Sequence, residues 1–389
     1  MIFDADIALI GLGPAGSTFA RLISERYRTV AFDKKRKAVS SSPDDAAGFE
    51  KPCGGLLAPD AQLMLGRFGL TLPQEVLVDP QIFAVRAIDL PSGLCRYYQR
   101  FYLNCDRPAL DRWLISLVPA QVEHHPESRL VTVRPLASDE SGRKAGLRAS
   151  ASGYLLRVSE GDVEREYRVR TVVGADGSFS PLRHQLMPAA HIKRYVACQE
   201  VFEDENEQPF YSVVFDRRIT PCYCWALSKN GRFILGGAFP REDCRDRFAR
   251  LKTAVREAGF RFGKSLQQQS CLVSYPTRRR ELCLGDGRGA FLIGEAAGFI
   301  SPSSLEGLSW AFDSAQLLAR AFNEPAGSRT GGADAGAALD AAALLARYRR
   351  FAAPLRRKIT RKALKAFVLY QPTLRRLIMR SGVSAITPL

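Results

Sequence analysis

Short apolar runs punctuated by turn residues fill the first two-thirds of the chain, and helical patterning fills the last part. "ADIALIG" (5–11) and "RTVAF" (28–32) are short and almost wholly apolar, which predicts strands buried on both faces. Between them "AGSTFARLIS" predicts a helix. "VRAIDLPSGLCRYYQRFYLNCDR" (85–107) alternates apolar and polar positions like a hairpin, and "PALDRWLISLV" (108–118) reads as a helix. "EYRVRTVVGADGSFSPLR" is a strand running into a turn. Between 194 and 275 "YSVVF", "CYCWALS" and "RFILGGAF" suggest a largely antiparallel sheet. "GAFLIGEAAGF" returns to a strand followed by small residues, and "LSWAFDSAQLLARAF" is a helix. The polar stretch 136–153 reads as a solvent loop, the Ala/Gly-rich stretch 323–342 as a linker. No internal repeat is present.

The 389 residues, 46% hydrophobic and 25% charged, suffice for two domains. No apolar run approaches the ~18 residues of a membrane span. Asp4 and Asp6 stand where a signal peptide carries positive charge, so we expect no export signal. The nine cysteines contain no CxxC pair, which argues for a reducing compartment, mostly inert thiols and no metal site. We therefore expect a cytoplasmic protein.

The net charge of +16 concentrates at the end: from Ala341 to Leu389 there is no Asp or Glu, while "RYRRFAAPLRRKITRKALKAF" and "LRRLIMR" are rich in bases. Such helices suit an anionic membrane surface, giving peripheral attachment, or are simply a solvated face. No zinc finger, RNP motif or KH loop points to nucleic acid.

The first strand runs into Gly11, Gly13 and Gly16 in a GxGxxG pattern, and the second ends at Asp33, 22 residues after Gly11. A dinucleotide-binding βαβ unit needs this order. Gly11 permits the tight turn, Gly13 lets backbone N–H groups approach a pyrophosphate, and Gly16 lets helix and strand pack closely. Asp33 accepts from a ribose hydroxyl in this reading.

Three stretches line up: the GxGxxG unit, "VVGADGSFSPLR" and "LIGEAAGFISPSSLEGLSWAF". Together they resemble the flavoprotein superfamily of para-hydroxybenzoate hydroxylase and, within it, the geranylgeranyl reductase family, over roughly residues 4–322. The resemblance implies an α/β fold with an α+β second domain: a Rossmann-like FAD-binding domain, an antiparallel-sheet substrate domain and a C-terminal helical region. It assigns 1–80, 101–190 and 281–325 to the FAD domain, 81–100 and 191–280 to the substrate domain, 326–340 to a linker and 341–389 to basic helices. Gly11, Gly13, Pro14, Ala15, Gly16, Asp33 and Lys34 would hold the ADP half of FAD. Arg107 matches an arginine facing FAD in relatives, or is a surface arginine. Asp176 and Gly177 match the second motif; Gly294, Glu295, Gly307 and Leu308 match the third. Relatives usually carry Asp where Glu295 stands and Gly where Leu305 stands.

"KPCGG" (51–55) resembles the reductases' Cys-Gly-Gly loop beside the flavin ring. That implies Cys53 as a polarizable wall or proton relay, with Gly54 and Gly55 admitting the ring, against the plainer reading of a packing cysteine. Tyr223 and Trp225 match a Tyr-x-Trp-x-Phe-Pro stretch in which Leu227 and Ser228 replace Phe-Pro. Period-two spacing puts Tyr223, Trp225 and Leu227 on one face, as a substrate channel or a core stripe, with Cys222 and Cys224 facing away. The resemblance implies an FAD enzyme that reduces carbon–carbon double bonds of a prenyl or other lipophilic substrate, with NADPH, NADH or ferredoxin as electron donor. Cys53 and Tyr223 are the candidate catalytic residues. The alternatives are a monooxygenase of an aromatic or polyketide substrate, a halogenase as a weaker variant, and a non-catalytic flavin electron carrier or membrane-docked binding protein.

Overall fold

The computed structural model describes residues 2–23, 25–35, 51–136, 153–205, 210–324 and 340–386. The solvent loop and all of the linker except its end therefore lie outside the described residues.

In chain order the strands are β1 (Ala5–Ile10), β2 (Thr29–Phe32), β3 (Leu56–Leu57), β4 (Ile82–Asp89), β5 (Leu94–Asn104), β6 (Glu123–His125), β7 (Ser128–Pro135), β8 (Tyr154–Glu160), β9 (Val163–Gly174), β10 (Arg194–Asp204), β11 (Tyr211–Phe215), β12 (Cys224–Lys229), β13 (Arg232–Phe239), β14 (Phe262–Ser274) and β15 (Ala290–Leu292). The helices are α1 (Pro14–Leu22), α2 (Pro59–Arg67), α3 (Arg107–Ser116), α4 (Pro181–Leu186), α5 (Cys244–Glu257), α6 (Leu308–Asn323), α7 (Ala341–Phe351), α8 (Ala353–Tyr370) and α9 (Pro372–Ser381).

The strands form two sheets. The first runs β6-β2-β1-β9-β8-β7, with β15 also on β9. Pairs β6/β2, β2/β1, β1/β9 and β9/β15 are parallel, and β9/β8 and β8/β7 antiparallel. Ile10 is in register with Phe32 on one side and Gly174 on the other, so Gly11, Asp33 and Ala175 leave the sheet at one edge. That edge is the topological switch point, where such sheets hold ligands. The second sheet runs β14-β10-β13-β12-β11-β4-β5-β3 and is antiparallel except for β11/β4.

Glycine is required at two places. Gly11 has φ +95° and a Cβ there would lie 2.7 Å from the Ala175 carbonyl oxygen; a Cβ on Gly16 would overlap the Gly11 carbonyl oxygen. The second contact seats α1 against the end of β1. On its other side α1 packs on α6, whose Trp310, Ala315, Leu318 and Phe322 are fully buried.

The stretch 194–275 does form a largely antiparallel sheet, and it also holds α5, which the sequence reading did not assign, with Phe248, Leu251 and Val255 packing on Phe233 and Phe239 of the second sheet. Their i, i+3, i+7 spacing was a readable helical signal. Two expectations need correction. Cys222 and Cys224 do not face the same way. Cys224 joins the cluster under α5, whereas Cys222 lies just before β12 and packs in the cluster of Tyr223 and Trp225. The basic C-terminus is not an appendage. Tyr348 of α7 is fully buried and donates to the Leu292 carbonyl at 3.1 Å. Arg375 and Arg376 of α9 both bind buried Asp89, at 3.1 and 3.2 Å.

Candidate functional site

The two sheets share one groove of about 570 Å³. At one end it is lined by Gly11, Gly13, Pro14, Ala15, Asp33 and Lys34; Asp176 and Gly177 flank this end. At the other end stand Lys51, Cys53, Gly54, Arg107, Tyr211, Tyr223, Trp225, Glu295 and the amino end of α6 at Gly307 and Leu308.

The first end is built for phosphate and hydroxyls. Gly13 caps α1, and a Cβ there would meet nothing within 4 Å, leaving the helix amino end open to the groove. The Asp33 carboxylate is already engaged: one oxygen accepts from the Leu12 N–H and the other from Lys35 N–H at 2.8 Å. It therefore holds the glycine loop in shape, with lone pairs left for a ribose hydroxyl. Burial raises the Asp176 carboxyl above its usual range, and its Oδ1 has no hydrogen-bond partner among the described residues. A hydroxyl-bearing ligand would supply the missing donor. These residues fit a dinucleotide.

The second end is a charge cluster under an aromatic wall. Arg107 opens α3 behind its N-cap Asp106, and its Nε donates to Asp111 at 2.8 Å. Asp111 also takes Lys35 at 2.6 Å. Lys51 pairs with Glu295, whose other oxygen accepts from Ser274 N–H at 2.7 Å. Lys229 donates to the Gly54 and Cys105 carbonyls at 2.7 and 2.6 Å, pinning the Cys53 loop to β12. Burial pushes the Cys53 thiol up, but Arg107, the Gly55 N–H, Lys229 and Lys51 outweigh it and hold the thiol below its ordinary pKa. Burial lowers Lys229 to about 8 against the pull of Cys53. Thus a thiol more acidic than usual sits beside a lysine that holds its proton less tightly than usual.

Above this cluster Tyr223 donates to the Ser304 carbonyl and lies 3.3 Å from the Tyr211 hydroxyl. Burial, then Tyr211, Tyr370 and Glu306, raise the Tyr223 phenol, so it keeps its proton. Glu306 accepts from Tyr102 at 2.6 Å and from Ser304 at 3.0 Å. Leu305 holds φ +51°, the left-handed backbone that glycine favours.

Some expected residues stand behind the groove instead of lining it. Gly16 is the helix-packing contact. Gly55 (φ +68°) makes room for Lys229 and the Cys105 carbonyl, not for a ring. Gly294 lets its turn approach α1, since a Cβ there would sit 2.8 Å from the Ala15 Cβ. Leu227 backs Gly54 and is itself 1% exposed, so only Tyr223 and Trp225 of that triplet face the groove. Sequence reasoning assigned no role to Lys51, Asp111, Tyr211, Lys229 or Glu306. Asp111 was legible as the i+4 partner of Arg107. Lys229 carried no signal, because only the fold brings β12 to the Cys53 loop.

The architecture matches several solved proteins. A geranylgeranyl bacteriochlorophyll reductase-like protein from Thermoplasma acidophilum superposes with a TM-score of 0.74 at 17% identity, covering 96% of this chain and 90% of that one. PqsL of Pseudomonas aeruginosa, described as a probable FAD-dependent monooxygenase, gives 0.64 at 20% identity over 97% and 99%. The flavin-dependent halogenase CmlS gives 0.64 at 16% over 93% and 64%. The fold is that of the FAD-dependent flavoproteins. In sequence the chain is 41% identical over 385 residues to Protein CbrA of Escherichia coli strain K12, covering 99% of this chain and 98% of that protein. Protein CbrA of Shigella sonnei is 42% identical over the same shares. The chain belongs to the CbrA family. No family model matches it.

Proposed function

We propose that the protein is an FAD-dependent oxidoreductase that reduces carbon–carbon double bonds of a prenyl or other lipophilic substrate. One observation carries this reading: a single groove joins a dinucleotide cradle to an apolar wall of Tyr211, Tyr223, Trp225, Val273 and Ile300, with the cation-held Cys53 loop between them. The fold is shared equally by hydroxylases and halogenases, so the choice of reductase rests on these residues. FAD, when bound, supplies hydride transfer. The α1 amino end and Asp33 hold its nucleotide half. The apolar wall orients a lipophilic chain and excludes water. Cys53 releases a proton readily, with Arg107 and Lys229 stabilising the thiolate left behind. Tyr223 retains its proton and positions the turn at Ser304.

Exposed Leu364 and Phe367 of α8 stand among Arg361 and Lys365, which suits an anionic membrane surface that delivers such a substrate. No helix among the described residues is long and apolar enough to cross a membrane. Removing 341–389 is a poor test of this contact, since α7 belongs to the core. Replacing Leu364 and Phe367 by serine should release the protein from phosphatidylglycerol vesicles; unchanged sedimentation refutes the surface.

The test of activity is anaerobic incubation of the FAD-loaded, dithionite-reduced protein with prenyl lipids. Products gaining two hydrogens per double bond support the reductase. Oxygen insertion seen only in air assigns the protein to the hydroxylases instead. Cys53→Ala should keep FAD and slow turnover, and unchanged turnover would reduce Cys53 to packing.

A further inference from the structure

The bases of the C-terminal helices are not equally partnered. Arg375 and Arg376 share Asp89, and Arg347 donates to the Glu324 carbonyl at 2.7 Å. In contrast, Arg280, Arg349 and Arg356 make no ion pair or side-chain hydrogen bond among the described residues. All three line a second cleft of about 630 Å³, which shares no residue with the groove. The corner between α7 and α8 forms one wall. The segment after α4 and the approach to β15 supply an apolar floor of Leu186, Met187, Leu282 and Leu284. Among the described residues no Asp or Glu lines the cleft.

Arg356 is the telling member. Its Nε is buried without a hydrogen-bond partner among the described residues. Burial first, then Arg349 and Arg279, push its guanidinium below the usual arginine range. Gathering like charges around a partly buried, unsatisfied guanidinium is unfavourable unless an anion completes the site. Planar guanidinium forks match phosphate oxygens two at a time. The apolar floor beside them calls for a ligand with a hydrocarbon part.

We propose that this cleft binds a phosphate-bearing amphiphile, its phosphate or pyrophosphate on Arg280, Arg349 and Arg356 and its apolar part on the Leu186–Leu284 floor. A phospholipid headgroup and a soluble phosphate ester share this chemistry. The test is calorimetric titration of the FAD-loaded full chain, its nucleotide cradle occupied, with sodium pyrophosphate. Replacing the three arginines by glutamine should weaken binding about tenfold or more. A charge-matched control, Arg361→Gln with Lys365→Gln and Arg380→Gln, should bind like the native chain. Arg349→Gln alone, at an exposed position where folding is safe, should cost about fivefold. Absence of pyrophosphate binding to the native chain, no loss in the cleft variant, or equal loss in the control overturns the site.

Soluble dihexanoyl-phosphatidylglycerol and glycerol 3-phosphate, which do not depend on the α8 surface, then separate the sources by the same titration. If the native chain binds the short-chain lipid and the cleft variant loses it with pyrophosphate, the cleft takes a lipid headgroup. If the native chain binds glycerol 3-phosphate and not the lipid, the ligand is a soluble phosphate ester.

Discussion

The two ends of the groove are built by different means. The nucleotide end comes from consecutive residues at the ends of adjacent parallel strands: Gly11 to Ala15, Asp33 to Lys34, Asp176 to Gly177. Its geometry is backbone geometry, enforced by Gly11 and Gly16, which leave no room for a Cβ. The cysteine end comes from side chains far apart in sequence, with Lys51 on Glu295, Arg107 on Asp111, Lys229 on the Cys53 loop and Tyr223 on Ser304. The first kind of site is rigid and general to a cofactor. The second can be retuned one side chain at a time, which is how one fold can serve reductases, hydroxylases and halogenases.

The sharpest way to break this contrast is at the glycines. Gly16→Ala drives a methyl into the Gly11 carbonyl and should cost about 3 kcal/mol or more, seen as a large fall in melting temperature. A Cβ at Gly13 meets no atom within 4 Å, so Gly13→Glu, its side chain directed into the groove, should change stability by under about 1 kcal/mol yet lose FAD on gel filtration. Full flavin retention in Gly13→Glu would refute the cradle.

At the other end, pH is the probe. Lys229 binds its proton less tightly in the native state, at about 8, than in the unfolded chain, at 10.5. Between those values the unfolded chain holds the extra proton, so the Lys229 contribution to native stability should rise with pH, by at most about 1.4 kcal/mol per unit. Below pH 8 the lysine is charged in both states and contributes no slope. Chemical denaturation of the native chain and Lys229→Met across this window should show the stability difference between them shift with pH in favour of the native chain; parallel curves would mean that Lys229 titrates normally.

Leu305 tests whether a backbone constraint also operates at the cysteine end. Leu305→Gly keeps the observed φ and should stay within about 1 kcal/mol of native, whereas β-branched Leu305→Val should cost about 2 kcal/mol. Equal stabilities would remove the constraint. The smallest effect is expected of Tyr223→Phe, which gives up its hydrogen bond to Ser304 for about 1 kcal/mol. If FAD affinity fell more than turnover, Tyr223 would belong to the nucleotide end of the comparison instead.

Sequence reasoning read the strand–glycine–helix–strand–Asp unit directly, because the whole unit lies within residues 5–33 and glycine is the visible mark of close backbone approach. It also found the Cys53 loop and the Tyr223–Trp225 stretch, but not what touches them. It assigned the helix α5 to a strand-rich region, although the apolar spacing was present. It took the basic C-terminus for a tail, since charge alone does not reveal that Tyr348 and Arg375 are buried.

By itself the sequence determined where backbone must come close to backbone and to phosphate, because steric permission is written in single residues. Only the tertiary structure decided the electrostatics: which cation holds Cys53, which carboxylate answers Lys51 and which arginines are left without one. Those interactions fall off with distance in space, and the fold alone sets that distance.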